Sequence, residues 1–248
     1  PLLTFLASEN RDVHRHGIMC LRELCESKDN RSDLFEQCGD APGLLNSVFR
    51  LMNNVDPRVR RQAGATLVAL LGESHNKIVM LDNGSLPRLV ALLRSRDSQL
   101  RRLAVDCLVH ITKLQDIHPQ PLDHCHMVRS DEVLIAIVEV LGAETDAELL
   151  LGLLKSITSL VGLVRHDAKR LKQRLCDFGL VDRLLDQAKR LVLAEQQTAS
   201  SLDLVAQVVK MLALHANRSK AVLEIIHATG HERTVVLLCK SQERKVRR

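Results

Sequence analysis

A chain of 248 residues with 35 Lys+Arg against 30 Asp+Glu carries a net charge of +5, and 46% of its residues are hydrophobic. That fraction supports a packed core, and charges of both signs at 26% of residues exclude a disordered tract. With 11 Gly and 6 Pro the chain is too poor in turn residues for a sandwich or barrel of many short strands.

In chain order, residues 1–7 read as a short helix and are followed by a long one opening at Val13. If the apolar opener of each long helix is position 0, positions 0, 4, 8 and 11 are Val13, Gly17, Leu21 and Leu24. A short apolar segment then ends in Cys38-Gly39, before Pro42 starts another helix. The next long helix repeats the pattern with Val59, Ala63, Leu67 and Leu70, after Asp56-Pro57-Arg58. Residues 76–83 close on Asn83-Gly84, a left-handed C-terminal stop, and Pro87 then sits in the first turn of the helix to Leu93. The third long helix follows Asp97 and carries Leu100, Ala104, Leu108 and Ile111.

Beyond residue 115 the pattern loosens. The glycine stop is missing near Met127–Val133, although Leu149, Leu153, Ile157 and Leu160 fit the long-helix template. Cys176-Asp177-Phe178-Gly179 before Leu180 restores the stop, and Leu204, Val208, Leu212 and His215 fit the template loosely. Residues 218–240 read as two further helices. The openers are 46, 41, 49 and 55 residues apart. At 100° per residue, positions 0, 4, 8 and 11 share one narrow stripe. The small residue at position 4 is expected to let a neighbouring helix approach closely. A repeat of this length and periodicity is a helical solenoid.

The short–medium–long helix pattern, with Gly84-Ser85-Leu86-Pro87-Arg88-Leu89-Val90-Ala91-Leu92-Leu93 at its centre, resembles the armadillo repeat family. The resemblance is strong over residues 10–113 and weaker over 115–248. HEAT repeats are the near alternative, while the tetratricopeptide pattern is excluded by spacing and by the absence of Trp and Tyr. The resemblance implies an all-α fold, an α-α superhelix built as a right-handed solenoid. We expect one such solenoid over residues 1–248, with units near 1–28, 29–73, 74–115, 116–165, 166–217 and 218–248. Partial units at the two ends make a fragment of a longer protein the expectation, with further repeats or domains before Pro1.

In that architecture the long helices line a concave groove, and positions 2, 6 and 10 face it. Position 2 holds Arg15, Arg61 and Arg102; position 6 holds Met19, Ala65, Asp106 and Lys155; position 10 holds Glu23, Ala69, His110 and Ser159. Helices packed about 8–10 Å apart would set the three arginines at that interval. An extended peptide advancing about 3.3 Å per residue would meet one at every third position. Bidentate Arg–carboxylate pairing then points to an acidic protein segment, extended or helical. Arg60 and Arg101, at position 1, are expected to face an adjacent repeat instead. Importin-α-like family members hold basic peptides with Trp at position 6 and Asn at position 10, and this chain has neither there.

A second basic cluster comprises Arg165, Lys169, Arg170, Lys172 and Arg174, and the tail adds Lys240, Arg244, Lys245, Arg247 and Arg248. A nucleic-acid or anionic-membrane surface binder is the alternative these support. With only 2% aromatic residues the stacking platforms of single-strand binding are missing, so neither partner is expected. A structural spacer in a larger adaptor is the third reading. His118, His124, Cys125 and His126 lack the helical spacing of a metal site, and no nucleophile elbow, phosphate loop or paired-carboxylate motif occurs. No catalytic residue, metal or cofactor is expected. Seven scattered cysteines, several in helix interiors, argue for a reducing compartment over a disulfide framework, so the cytoplasm is expected; the armadillo resemblance also allows nuclear or ciliary sites. The most apolar window, Leu149–Val164, holds Lys155 and falls short of the roughly 20 residues a membrane span needs.

Overall fold

A computed structural model describes residues 2–8, 10–37, 41–82, 85–113, 130–163 and 168–193, together with 207, 208, 210, 211, 227 and 233. Every regular element among the described residues is a helix. Those whose bounds are described are α1 Leu2–Ala7, α2 Arg11–Leu24, α3 Lys28–Gln37, α4 Ala41–Met52, α5 Pro57–Leu70, α6 Ser74–Asp82, α7 Leu86–Leu93, α8 Ser98–Thr112, α9 Asp131–Ala143, α10 Ala147–Leu163, α11 Ala168–Asp177 and α12 Leu180–Leu193. They fall into two compact units, Pro1–Val133 and Leu134–Arg248.

In the first unit the repeat is explicit. The long helices α2, α5 and α8 pack side by side in chain order, α5 touching both others. The medium helices α1, α4 and α7 each pack on a long helix (α1 on α2, α4 on α5, α7 on α8), and α1 also packs on α4. The short helices α3 and α6 pack together. The punctuation read from the sequence explains the boundaries: Pro57 and Pro87 sit in the first turns of α5 and α7, where a missing N–H costs no hydrogen bond.

The buried face is wider than the predicted stripe. Positions 0, 4, 8 and 11 are buried in both α5 and α8, and so are positions 5, 7 and 12: Gly64, Thr66 and Leu71, then Val105, Cys107 and Thr112. In α2 the template fails at its last position, because Leu24 is 41% exposed while Cys25 is fully buried. The cause lies in the cap. Cys25 keeps helical dihedrals (φ −72°, ψ −6°), and the 100° step past Leu24 turns it inward, as Leu71 and Thr112 turn at the same position. Val13 is only half-buried.

Close approach also occurs one residue later than predicted. A Cβ at Gly17, position 4, would make ordinary 3.5 Å contacts with Leu6 and Phe5 of α1. At Gly64, position 5, a Cβ would clash with Leu103 Cδ1 and press on Leu103 Cβ and Cγ at 3.3 Å. The α5–α8 contact therefore seats a leucine against bare backbone.

The second unit begins within α9. Helix α10 packs on α11 and α11 on α12. The buried Gln187 of α12 donates to the carbonyls of Leu141 (2.8 Å) and Glu144 (2.9 Å), closing the C-terminal end of α9. Gly179, at φ +84°, provides the left-handed stop expected between α11 and α12, its N–H donating to the Cys176 carbonyl at 2.9 Å. Leu149, Leu153, Ile157 and Leu160 are buried along α10, with Val208 and Met211 buried further on. Leu204, Leu212, His215 and most of 218–240 lie outside the described residues, as do Cys38, Gly39, Asn83, Gly84 and the His118–His126 cluster. No described helix is long and apolar enough to cross a membrane.

Two outcomes follow from this packing. Gly64→Val should destabilise the first unit by about 1–3 kcal/mol through overpacking against Leu103, read as a lower urea midpoint. Burial pushes the Cys25 thiol up to about 12, against a smaller downward pull from Arg31, and burial raises Cys107 as well. A maleimide should therefore modify the exposed Cys20 in the native protein and reach Cys25 and Cys107 only on unfolding, as peptide mass mapping would report.

Candidate functional site

Each long helix opens on a side-chain cap three residues before its position 0. Asn10 Oδ1 accepts the amides of Asp12 (2.9 Å) and Val13 (3.4 Å). Asp56 Oδ1 accepts Arg58 N–H at 2.8 Å, Asp97 Oδ1 accepts Gln99 N–H at 3.0 Å, and Asp146 Oδ1 accepts Glu148 N–H at 2.9 Å. Such oxygens satisfy amides that have no partner inside the helix. In the first unit the second carboxylate oxygen has another use. Asp56 Oδ2 receives the Arg15 guanidinium at 3.2 Å, and Asp97 Oδ2 receives Arg60 at 3.1 Å. One carboxylate thus caps its own helix and binds the preceding long helix.

The arginines complete the link. Arg60 Nη1 donates to the carbonyls of Asn54 (3.0 Å) and Val55 (3.1 Å), tightening the turn before its own helix. Arg101 Nη1 does the same to Ser95 (3.1 Å) and Arg96 (3.3 Å). At the other end of the long helices, Arg31 of α3 donates to Cys25 O at 2.9 Å, and Asn76 of α6 donates to Leu70 O at 2.9 Å. Arg31 also pairs with Glu73 at 3.2 Å. Both ends of α2 and α5 are therefore tied by side chains from neighbouring repeats.

This arrangement redefines one candidate residue. Arg15 stands at position 2, yet it makes the inter-repeat bond that Arg60 makes from position 1. In α2 position 1 is His14, half-buried and too short to act as a guanidinium, so the next residue reaches Asp56. Arg15 is also 3.8 Å from Asp12. Of the position-2 residues, Arg61 is exposed and Arg102 half-buried, on adjacent helices at the same register. At position 6, Met19 is 46% exposed, Asp106 exposed and Ala65 half-buried; at position 10, Glu23 is exposed and Ala69 and His110 half-buried. Burial, aided by Lys113 and Lys77, holds the His110 imidazole below its usual value. In the second unit, Lys155 is exposed and Ser159 half-buried on α10. The face left open by α2, α5 and α8 is thus a mixed surface of arginine, acid, alanine and methionine.

Of the second basic cluster, Lys169 and Arg170 are exposed on α11 while Lys172 and Arg174 are half-buried. Arg165 and the C-terminal basic residues lie outside the described residues. No group of three or more His, Cys, Asp or Glu arranged to hold a metal ion occurs among the described residues.

The caps were legible and overlooked: Asn or Asp stands three residues before each of four openers, a standard helix-start signal. Their second role was not legible, because it depends on which guanidinium a neighbouring repeat brings near.

Comparison with known proteins places this geometry. Residues 73–113, spanning α6, α7 and α8, match the Armadillo/beta-catenin-like repeat family. A designed armadillo repeat protein is 13% identical with a TM-score of 0.67, covering 97% of this chain and 95% of that one. Another, solved in complex with a (KR)4 peptide, is 14% identical with a TM-score of 0.61, covering 98% and 97%. A further engineered protein is 17% identical with a TM-score of 0.64, covering 98% and 94%. No curated protein sequence matches. The fold is that of armadillo repeat solenoids, and the armadillo resemblance read from residues 76–111 is supported.

The caps carry a consequence for acid stability. The Arg58 amide, followed by Arg15, outweighs burial to hold the Asp56 carboxyl below its usual value. At Asp97 burial is the largest influence and acts upward, but the Arg60 bond and the amides of Gln99 and Leu100 together bring the carboxyl down. Both values are lower folded than unfolded, so this stabilisation is complete above roughly pH 4 and is lost as pH falls through the folded values. Asp97→Ala should cost about 1 kcal/mol at neutral pH through the lost cap. Asp97→Asn, which keeps a capping oxygen, should flatten the acid limb of a urea-midpoint-versus-pH profile.

Proposed function

We propose that this armadillo-type chain is a non-catalytic binding module that holds a partner segment along the exposed face of α2, α5 and α8. The observation that carries the reading is the parallel placement of three long helices whose position-2, -6 and -10 side chains remain half or fully exposed. Their outward face is fixed by the inter-repeat carboxylates, so little ordering is lost on the protein side when a segment docks. That one structural relative holds a (KR)4 peptide supports an extended peptide as the kind of ligand.

The charge of the partner is argued from this chain's own residues. Arg61 and Arg102 repeat at one register across adjacent helices, favouring carboxylates about every third residue of an extended segment. Glu23 and Asp106 on the same face would repel acidic residues out of that register and so help to fix it. Arg15, already joined to Asp56, contributes less. Lys155 and Ser159 hold the corresponding positions 6 and 10 of α10 in the second unit.

Binding of a fluorescein-labelled peptide with Glu at every third position tests this. Arg61→Glu/Arg102→Glu should weaken it at least tenfold at low salt, and wild-type affinity should fall as salt rises. Equal affinity of the two proteins would remove this reading.

A further inference from the structure

The medium helices of the first unit form a second surface, independent of the long-helix face. Between α4 and α7 lies a groove of about 510 Å³, within the range of roughly 300–1,000 Å³ typical of ligand sites. Its floor is apolar and buried: Phe49 is 3% exposed and Leu92 4%. Its rim is polar and exposed, with Arg50 and Asn53 from α4 and the turn after it, and Arg88 from α7. Among the described residues that line it, none is acidic.

The two cations are already oriented. Arg88 lies over the Phe49 ring, 5.8 Å from its centroid, and donates to Asn46 Oδ1. Arg50 donates to the Leu6 carbonyl. A guanidinium has five N–H donors in a fixed fork, so each arginine retains donors for an incoming anion after those bonds. Two positive charges with no carboxylate among the described lining residues, beside a buried leucine and an exposed alanine, are complementary to a carboxylate with an apolar neighbour. Stacking and hydrogen bonding lower the cost of fixing the arginines, which favours bidentate recognition.

We propose that this groove docks a protein segment in which Asp or Glu lies beside an apolar side chain. The carboxylate sits between Arg50 and Arg88, and the apolar side chain packs against Ala91 and Leu92. This site shares no residue with the long-helix face and stands or falls separately from it.

The test uses a fluorescein-labelled peptide of alternating Glu and Leu, with a Lys–Leu peptide of equal length as control. Anisotropy is followed with the whole chain carrying Arg61→Glu/Arg102→Glu, so that the long-helix face does not contribute. Two further changes are made in that background. Arg50→Gln/Arg88→Gln removes the cations. Ala91→Glu, on an exposed lining residue one helical turn after Arg88, supplies an internal carboxylate that occupies them and keeps α7 helical. Each should weaken the Glu–Leu peptide at least tenfold, with the Ala91→Glu melting temperature unchanged within a few degrees. Unchanged affinity in folded Ala91→Glu protein, equal binding of the Lys–Leu peptide, or no binding before either change would overturn the proposal.

Discussion

The first unit depends on a carboxylate used twice. A helix needs an acceptor for its first amides, and a stack of helices needs something to fix one helix against the next. Apolar packing, such as Leu103 seated on Gly64, serves the second task along the helices, and polar bonds serve it at their ends. Asp56 and Asp97 perform both, one oxygen on their own helix and the other on the guanidinium of the preceding one. The register of α2, α5 and α8 is therefore set by directional bonds at their starts and by the broad buried arc along their length. The surface available for binding is what remains once those demands are met.

That order of priorities explains what the sequence disclosed. Positions 0, 4 and 8 repeat as apolar or small residues in α5, α8 and α10, and the family resemblance rests on the Gly-x-Leu-Pro stretch before α8. Both are local, and the described part of each, Leu86 and Pro87 of the second included, keeps its place in the fold. Position 5 was hidden because Gly64 reads as neither core nor surface until Leu103 is seen against it. Position 12 was hidden because Cys25, Leu71 and Thr112 have no common chemistry, only a common direction. The candidate site was legible as a face and not as a set of contacts. Arg15 and Arg61 occupy the same template position, yet one binds Asp56 and the other stays exposed, because the residue before each differs: His14 in α2, Arg60 in α5.

The two surfaces on the first unit illustrate a general separation in layered repeats. Long helices present outward whatever their caps and core positions leave over, so their chemistry is patterned by the repeat. Medium helices are shorter, and the outward residues that matter here do not recur at one position between repeats. Arg50 and Arg88 are not at equivalent positions in α4 and α7, and they converge only because those helices are adjacent. A search for repeated positions finds the first kind of surface and passes over the second.

The ties at the C-terminal ends of the long helices give the chain a direction. The carbonyl of Cys25 is satisfied by Arg31, and that of Leu70 by Asn76, each donor belonging to the repeat that follows. During synthesis α2 therefore emerges with an unsatisfied end and waits for α3, as α5 waits for α6. The growing chain would present one unfinished terminus at a time, completed by the next short helix to leave the ribosome. Each such end exchanges water for a protein donor only when the following short helix is in place.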